Sequence, residues 1–254
     1  YANKEQIINN MRNSKDNSYN NSFLYSKGGA ETFIKILYDN LDKNNILLNT
    51  EIVDIDIDKK IATTNKNEKI EYEYLINTSP LNHFLKLFKD EKLKELQKEL
   101  SYNKVLVFNL GFNKKSKLQK EHWLYIPSKD CNYYRIGFYD NILNADKLSM
   151  YIEIGYPKDA KITEKEIEKQ LELTLKNLKE QGIIDDTTKL VDYVAIIMDP
   201  AYVHIEKETD EKIKKELEKL SKKNIYSIGR YGAWTYCSME DCMLQAKKLY
   251  EEIK

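Results

Sequence analysis

Asn224-Ile225-Tyr226-Ser227-Ile228-Gly229-Arg230-Tyr231-Gly232-Ala233-Trp234-Thr235-Tyr236-Cys237-Ser238-Met239-Glu240-Asp241 reads as a strand, a glycine-punctuated turn and a helix start. Ile225 to Ile228 is a short apolar strand that stops at Gly229-Arg230. Ser238 can cap a helix, and Asp241 three residues on completes a capping box. A strand feeding a turn into a helix N-terminus aims backbone N–H groups and a positive dipole end at one point. That point suits a phosphate or the electron-rich edge of a cofactor ring. An arginine directly after a buried strand, flanked by glycines, is a costly choice unless it meets an anion or a carbonyl.

Working back from that stretch, apolar spacing predicts a buried helix face over Ala30–Leu41, after Lys27-Gly28-Gly29. A short helix is also expected over Glu5–Arg12, with a polar loop to Asn21. Ile46–Leu48 reads as a short strand. Ile52 to Ile57, turning at Lys59-Lys60 and returning over Ile61–Thr64, reads as a hairpin. Tyr72–Thr78 is a strand stopped by Pro80, and helices follow over Leu81–Phe88 and Asp90–Leu100. The middle is strand-rich (Val105–Gly111, Trp123–Ile126, Tyr133–Tyr139 and Met150–Gly155) and suggests an antiparallel meander. Thr163–Gln181 is a long helix closed by Gly182. Leu190–Met198 and Ala201–Ile205 are two extended pieces, and Asp210–Leu220 is a helix. Met239, Cys242, Met243, Ala246, Leu249, Tyr250 and Ile253 form an apolar stripe, so the last helix is expected to dock on the core. The fold class is α/β (α+β), with two interleaved lobes.

Composition narrows the function classes. The chain has 254 residues, 41% hydrophobic and 32% charged, as in globular domains with real cores. Lys+Arg and Asp+Glu are both 41, so the electrostatic footprint of a nucleic-acid binder is missing. No window reaches the ~18 consecutive apolar residues of a membrane span, and a cytoplasmic location is expected. The chain opens at Tyr1 in an Asn-rich segment, which points to a fragment, a processed product or a trimmed chain. Cys131, Cys237 and Cys242 make no disulfide framework; Cys237 and Cys242 read as packing thiols, and no metal site is expected. His83, His122 and His204 are scattered and read as packing or surface residues. No paired-carboxylate or nucleophile–base constellation appears. Tyr133-Tyr134-Arg135, Pro200-Ala201-Tyr202 and Tyr236 could face a substrate, with a structural ion pair as the other reading of Arg135.

Gly229-Arg230-Tyr231-Gly232-Ala233-Trp234, with Tyr236 and Met239, resembles the C-terminal flavin-binding signature of a large FAD family. That family includes flavin amine oxidases, protoporphyrinogen-oxidase-like proteins and UDP-galactopyranose mutases. Tyr25-Ser26-Lys27-Gly28-Gly29-Ala30 and Leu48-Asn49-Thr50-Glu51-Ile52-Val53-Asp54-Ile55 are similar to its glycine pair and hairpin. Tyr74-Leu75-Ile76-Asn77-Thr78-Ser79-Pro80-Leu81 is similar to the strand end returning to the cofactor. The resemblance implies FAD as cofactor, a partial FAD/NAD(P)-binding domain and an antiparallel-sheet substrate domain. The implied division is 1–22 (helix and loop of the substrate lobe), 23–80 (FAD-domain portion with the hairpin), 81–222 (substrate-binding domain with covering helices) and 223–254 (FAD-domain strand, turn and helix). The implied cofactor residues are Val53, Thr78, Ser79, Pro80, Gly229, Arg230, Trp234 and Met239. Val53 would offer backbone groups to the adenine edge; as a residue alone it reads equally as a core valine. The implied substrate residues are Tyr134, Arg135, Tyr202 and Tyr236.

The family's G-x-G-x-x-G phosphate fingerprint is absent from these residues. The expectation is therefore the C-terminal part of an FAD-dependent oxidoreductase, transferring hydride from a small-molecule substrate to flavin and binding FAD weakly by itself. The alternatives are a mutase-like flavoenzyme acting on a sugar nucleotide and a non-catalytic substrate-lobe binding domain. The oligomeric state is open.

Overall fold

The computed structural model describes residues 24–254, so the helix expected over Glu5–Arg12, the loop to Asn21 and the proposed 1–22 segment lie outside the described residues. The chain divides into two units, Tyr1–Leu47 and Leu48–Lys254. In the first, α1 (Ala30–Asp39) begins after Gly29, whose φ of 84° is a conformation glycine adopts without penalty. The expected apolar stripe is present but uncovered: Phe33, Ile34, Leu37 and Tyr38 are all exposed. Where a strand was expected over Ile46–Leu48, the chain makes a 3₁₀ turn (Lys43–Asn45) and then, after two irregular residues, a turn at Leu48-Asn49. Asp42 holds that turn by accepting from the Asn44 N–H at 3.0 Å, and a lone apolar triplet with no ladder to join stays irregular.

The second unit opens with an antiparallel three-stranded sheet: β1 (Ile52–Asp56), β2 (Ile61–Thr64) and β3 (Lys69–Glu71). The hairpin turns where expected, with Lys60 at φ 53°. Its register shifts between Ile52 and Asp54, which leaves Val53 as an extra residue with no partner across the ladder. Val53 is 47% exposed, so the core-valine reading fails. The strand expected over Tyr72–Thr78 is shorter: β4 (Leu75–Asn77) starts after the chain leaves the hairpin sheet. It pairs in parallel with β10 (Ile225–Ser227).

Helices surround that pair. The expected Leu81–Phe88 helix is α2 (Leu81–Phe84) tightening into a 3₁₀ turn over Leu85–Leu87. Next comes α3 (Glu91–Glu99), capped by Asp90, whose carboxylate accepts from the Lys92 and Leu93 N–H groups. One core gathers Ile55 of β1, Leu81, Phe84, Phe88, Leu93, Ile225 and Trp234.

The large sheet is antiparallel throughout. Its strands are β5 (Tyr102–Phe112), β6 (Trp123–Tyr125), β7 (Arg135–Phe138), β8 (Ser149–Pro157) and β9 (Leu190–Val203). The spatial order is β6-β7-β8-β5-β9. A meander thus covers only β6 to β8, because β5, the longest strand before β9, inserts between β8 and β9 and pairs with both. The segment after β7 turns into α4 (Tyr139–Leu143) rather than extending the strand. The two extended pieces expected after Leu190 are one strand, which runs through a cis Asp199–Pro200 bond. α5 (Glu164–Glu180), capped by Thr163 and followed by Gly182 at φ 70°, packs Leu178 into the sheet's own core with Leu106, Phe108, Ile136 and Ile152.

After α6 (Lys207–Ser221) and β10, the chain makes one helical turn, α7 (Gly229–Gly232), and ends in α8 (Met239–Ile253). The expected docking of α8 is only partial. Leu249 is buried, whereas Met239, Met243 and Tyr250 are exposed. One polar contact, the Gly229 N–H donating to Gln245 Oε1 at 2.8 Å, ties the helix to α7. No helix of the described residues is long and apolar enough to cross a membrane.

Candidate functional site

β4 and β10 run parallel and end at the same edge, and their ends are clasped by side chains. Asn77 Nδ2 donates to Ser227 Oγ at 2.8 Å and to the Ser79 carbonyl at 3.1 Å. Its Oδ1 accepts from the Ser79 N–H at 3.1 Å and the Ser79 hydroxyl at 2.6 Å. Ser227 Oγ in turn donates to the Gly232 carbonyl at 2.8 Å. Asn77 therefore fixes the Thr78-Ser79-Pro80 turn while Ser227 fixes α7 against it. Gly232 makes the approach possible: a Cβ there would sit 2.8 Å from the Asn77 carbonyl oxygen and 3.3 Å from Thr78 Cα. Gly229 serves differently, taking a φ of 81° at the strand-to-helix corner.

Beside this clasp lies a cleft of about 770 Å³ lined by Thr50, Ile52, Ile76, Thr78, Ser79 and His83. Its wall runs along β4 from Leu75 to Asn77 and on past the carboxyl end to Ser79, the end at which open α/β sheets bind their ligands. Burial, with Lys86 nearby, holds the His83 imidazole below its ordinary pKa, so it is neutral at pH 7. Val53 stands at the bulge of β1, and its neighbour Ile52 faces the cleft.

On the far side of α7, Arg230 Nη1 donates to the Cys237 carbonyl at 3.2 Å. Its guanidinium lies 4.2 Å over the Tyr236 ring and 5.6 Å from the Tyr202 ring, which are themselves stacked at 6.4 Å. The α8 N-terminus is built as expected: Ser238 Oγ accepts from the Asp241 N–H and Asp241 accepts from the Ser238 N–H, leaving Met239 61% exposed at the first helical position. Trp234 is buried at φ 51°, edge-on to Tyr102 at 5.9 Å, and its Nε1 is among the buried polar atoms with no hydrogen-bond partner.

The large sheet meets this corner through Tyr202. Arg135 Nη2 donates to Tyr202 Oη at 3.1 Å and to Glu153 Oε1, and its Nη1 reaches Tyr125 Oη at 3.4 Å. Tyr134 Oη donates to the second Glu153 oxygen at 2.5 Å. Burial, with Glu153 beside it, pushes the Tyr134 phenol above its ordinary pKa, so it stays a donor. Arg135 faces Glu153 directly across the β7–β8 ladder. The ion-pair reading of Arg135 is thus realised, while its hydrogen bond to Tyr202 links it to Tyr236 and Arg230.

Arg230, Tyr236, Tyr202, Arg135 and Tyr134 are therefore brought into one run, and Thr78, Ser79 and Gly229 into a clasp beside it. Sequence reasoning missed Glu153, Tyr125, Asn77 and Ser227. Glu153 carried a signal: it is the single acid in Met150-Tyr151-Ile152-Glu153-Ile154-Gly155, and a carboxylate inside an apolar strand needs a cation. Asn77 and Ser227 carried none, since each is an ordinary polar residue at a strand end.

The sequence matches the family of flavin containing amine oxidoreductases over residues 7–248. Protoporphyrinogen oxidase of Dictyostelium discoideum is 30% identical over 115 residues, 42% of this chain and 22% of that protein. The fold is similar to that of reduced UDP-galactopyranose mutase, with a TM-score of 0.79 at 22% identity over 91% of this chain and 53% of the other. It is also similar to that of a protein assigned as a protoporphyrinogen oxidase from Exiguobacterium sp. 255-15, with a TM-score of 0.75 at 16% identity over 97% of this chain and 54% of the other. The chain spans about half the length of those two structures. With a family match that takes in the clasp, the bulged hairpin and the α8 N-terminus together, the chain belongs to the flavin containing amine oxidoreductase family.

Proposed function

We propose that these residues hold the adenine and flavin ends of FAD in an oxidoreductase of the amine-oxidase or protoporphyrinogen-oxidase-like type. The observation that carries this reading is the clasp between Asn77–Ser79 and α7, with the α8 N-terminus beside it. The residues fit such a group. Val53 has no ladder partner, so its backbone is available to an adenine edge. Thr78 and Ser79 line the cleft, Pro80 follows them at the start of α2, and Gly229 turns the chain at the strand-to-helix corner. Arg230, braced on the Cys237 carbonyl, and the exposed first turn at Met239 favour negative charge. Trp234 supports the turn from beneath. When bound, FAD would supply the redox step by accepting a hydride from a substrate C–H bond as a C–N or C–C single bond is oxidised to a double bond.

In this reading Tyr134, Arg135, Tyr202 and Tyr236 position the small-molecule substrate. Glu153 neutralises Arg135 and orients Tyr134, so the sheet offers hydroxyls and ring faces more than net charge. The division into 23–80 and 223–254 for the cofactor and 81–222 for the substrate follows from the same assignment. A second reading, a sugar-nucleotide mutase, is favoured by the stacked Tyr202–Tyr236 pair with a guanidinium against it, a wall suited to a flat polar base.

Two measurements test these readings. FAD added to the 254-residue chain is expected to bind weakly, followed by quenching of flavin fluorescence, because no G-x-G-x-x-G supplies the diphosphate contacts. Tight binding with a bound-flavin spectrum would overturn that expectation. In the full flavoprotein, substrate-dependent oxygen consumption supports the oxidase reading, and a requirement for pre-reduced flavin without net oxidation replaces it with the mutase reading.

A further inference from the structure

Cys237 stands immediately before the Ser238 cap, and Cys242 is the fourth residue of α8. These are the two positions whose side chains pack together in a hydrophobic staple across a helix N-terminus. Here both are thiols. Their sulfurs lie 3.6 Å apart, both residues are half-buried, and both cysteines are free. The chain between them is already fixed. Ser238 and Asp241 exchange their capping hydrogen bonds, and the Cys242 N–H donates to the Ser238 carbonyl at 3.1 Å. The Cys237 carbonyl is pinned by Arg230.

A disulfide needs its sulfurs at about 2.05 Å. Side-chain rotation of two neighbouring thiols supplies most of the closure from 3.6 Å, since the staple positions already hold the two side chains side by side. A metal is a poorer occupant: among the described residues no group of three or more His, Cys, Asp or Glu could hold one. The third cysteine, Cys131, is engaged elsewhere, accepting from Gln181 Nε2 at 2.5 Å.

We propose that Cys237 and Cys242 form a redox-active dithiol that a peroxide oxidises to an intramolecular disulfide across the first turn of α8. One thiol ionises, its thiolate attacks a peroxide oxygen and the O–O bond breaks; a sulfenic acid and hydroxide form, and the hydroxide takes up the proton the thiol released to give water. The second sulfur then attacks the sulfenic sulfur, the S–S bond forms, the S–O bond breaks, and a second water leaves. Two thiols lose two electrons and two protons in total, and the peroxide gains them. The oxidised staple fixes the Cys237 carbonyl, and with it the brace on Arg230, whatever ligand the neighbouring cleft takes.

The test uses the folded 254-residue chain, treated with hydrogen peroxide, blocked with iodoacetamide and digested with trypsin. Both cysteines fall in one peptide, Tyr231–Lys247. The expected product is that peptide without either alkyl group and lighter by two hydrogens at the cysteines. Dithiothreitol should restore both alkylation sites, which it does not do for oxidised methionine, and Cys131 should stay alkylated. Cys242→Ser should abolish the form lighter by two hydrogens, leaving Cys237 either alkylated or carrying added oxygen. The proposal is overturned if Cys237 and Cys242 are alkylated independently after peroxide to the same extent as Cys131. It also fails if either pairs with Cys131, or if the peptide lighter by two hydrogens still forms in the Cys242→Ser chain.

Discussion

Gly232 shows how much one missing side chain can decide. Its backbone lies against Asn77 and Thr78, and an added Cβ would meet the Asn77 carbonyl oxygen at 2.8 Å, backbone against backbone with no flexible atom to move. Gly232→Ala is expected to lower stability by about 1–3 kcal/mol through overpacking, seen as a lower urea midpoint at unchanged slope. Gly182, with nothing near its Cβ but a φ of 70°, should cost only the left-handed strain of about 1 kcal/mol when replaced by alanine. Arg135 is a residue whose role needed the structure. Its place on a tyrosine-rich strand showed that it required a partner, but not that the partner was Glu153, 7% exposed on the next strand. Arg135→Gln leaves that carboxylate buried without its cation and should cost about 3 kcal/mol, measured by the same unfolding curves. Burial raises Tyr151 to about 12, against an ordinary phenol near 10. A raised acid is protonated in the fold when it has already ionised in the unfolded chain. Its contribution to stability is thus complete below about pH 10 and is lost between there and about 12. Tyr151→Phe should flatten the loss of stability across that interval, and an unchanged slope would assign the base sensitivity elsewhere.

At the scale of elements, helix ends were the most legible feature. Ser238 and Asp241 were readable as a capping box because the motif is local, needing only residues three apart. Ser238→Ala should destabilise by about 1 kcal/mol, with a matching fall in melting temperature. Asp90 and Thr163 cap their helices for the same local reason. Faces were less legible than ends. The periodic stripes of α1 and α8 were read correctly as amphipathic, yet Phe33, Ile34, Met243 and Tyr250 are exposed, since periodicity defines a face without defining what covers it. Strand order was the least legible. Nothing local in Tyr102–Phe112 announces that it will lie between β8 and β9, because its partners are chosen by non-local hydrogen bonding. The bulge at Val53 was likewise silent in the sequence, although the residue itself was singled out by resemblance.

For the molecule as a whole, the resemblance carried what local rules could not, linking three short motifs spread along the chain to one family. The pairing that joins two of them has a consequence for how the protein acquires its structure. Leu75 of β4 pairs with Ile225 of β10 across 150 residues, whereas the hairpin closes between Asp56 and Ile61, five apart. By loop-closure entropy the long pairing is costlier by about 3 kcal/mol, and only three residues on each strand share the ladder that offsets it. The large sheet, whose strands lie within the intervening loop, must therefore form first and shorten the effective distance. Refolding should show this order: in a Trp123→Phe chain, which retains Trp234 as its single tryptophan, fluorescence of the buried indole should recover after the far-ultraviolet circular dichroism of the sheet. Simultaneous recovery would mean that the clasp is part of the folding nucleus. If the order holds, the corner that joins Asn77 to Ser227 is a late product of folding, and a newly made chain passes through a stage with a finished sheet and an open clasp.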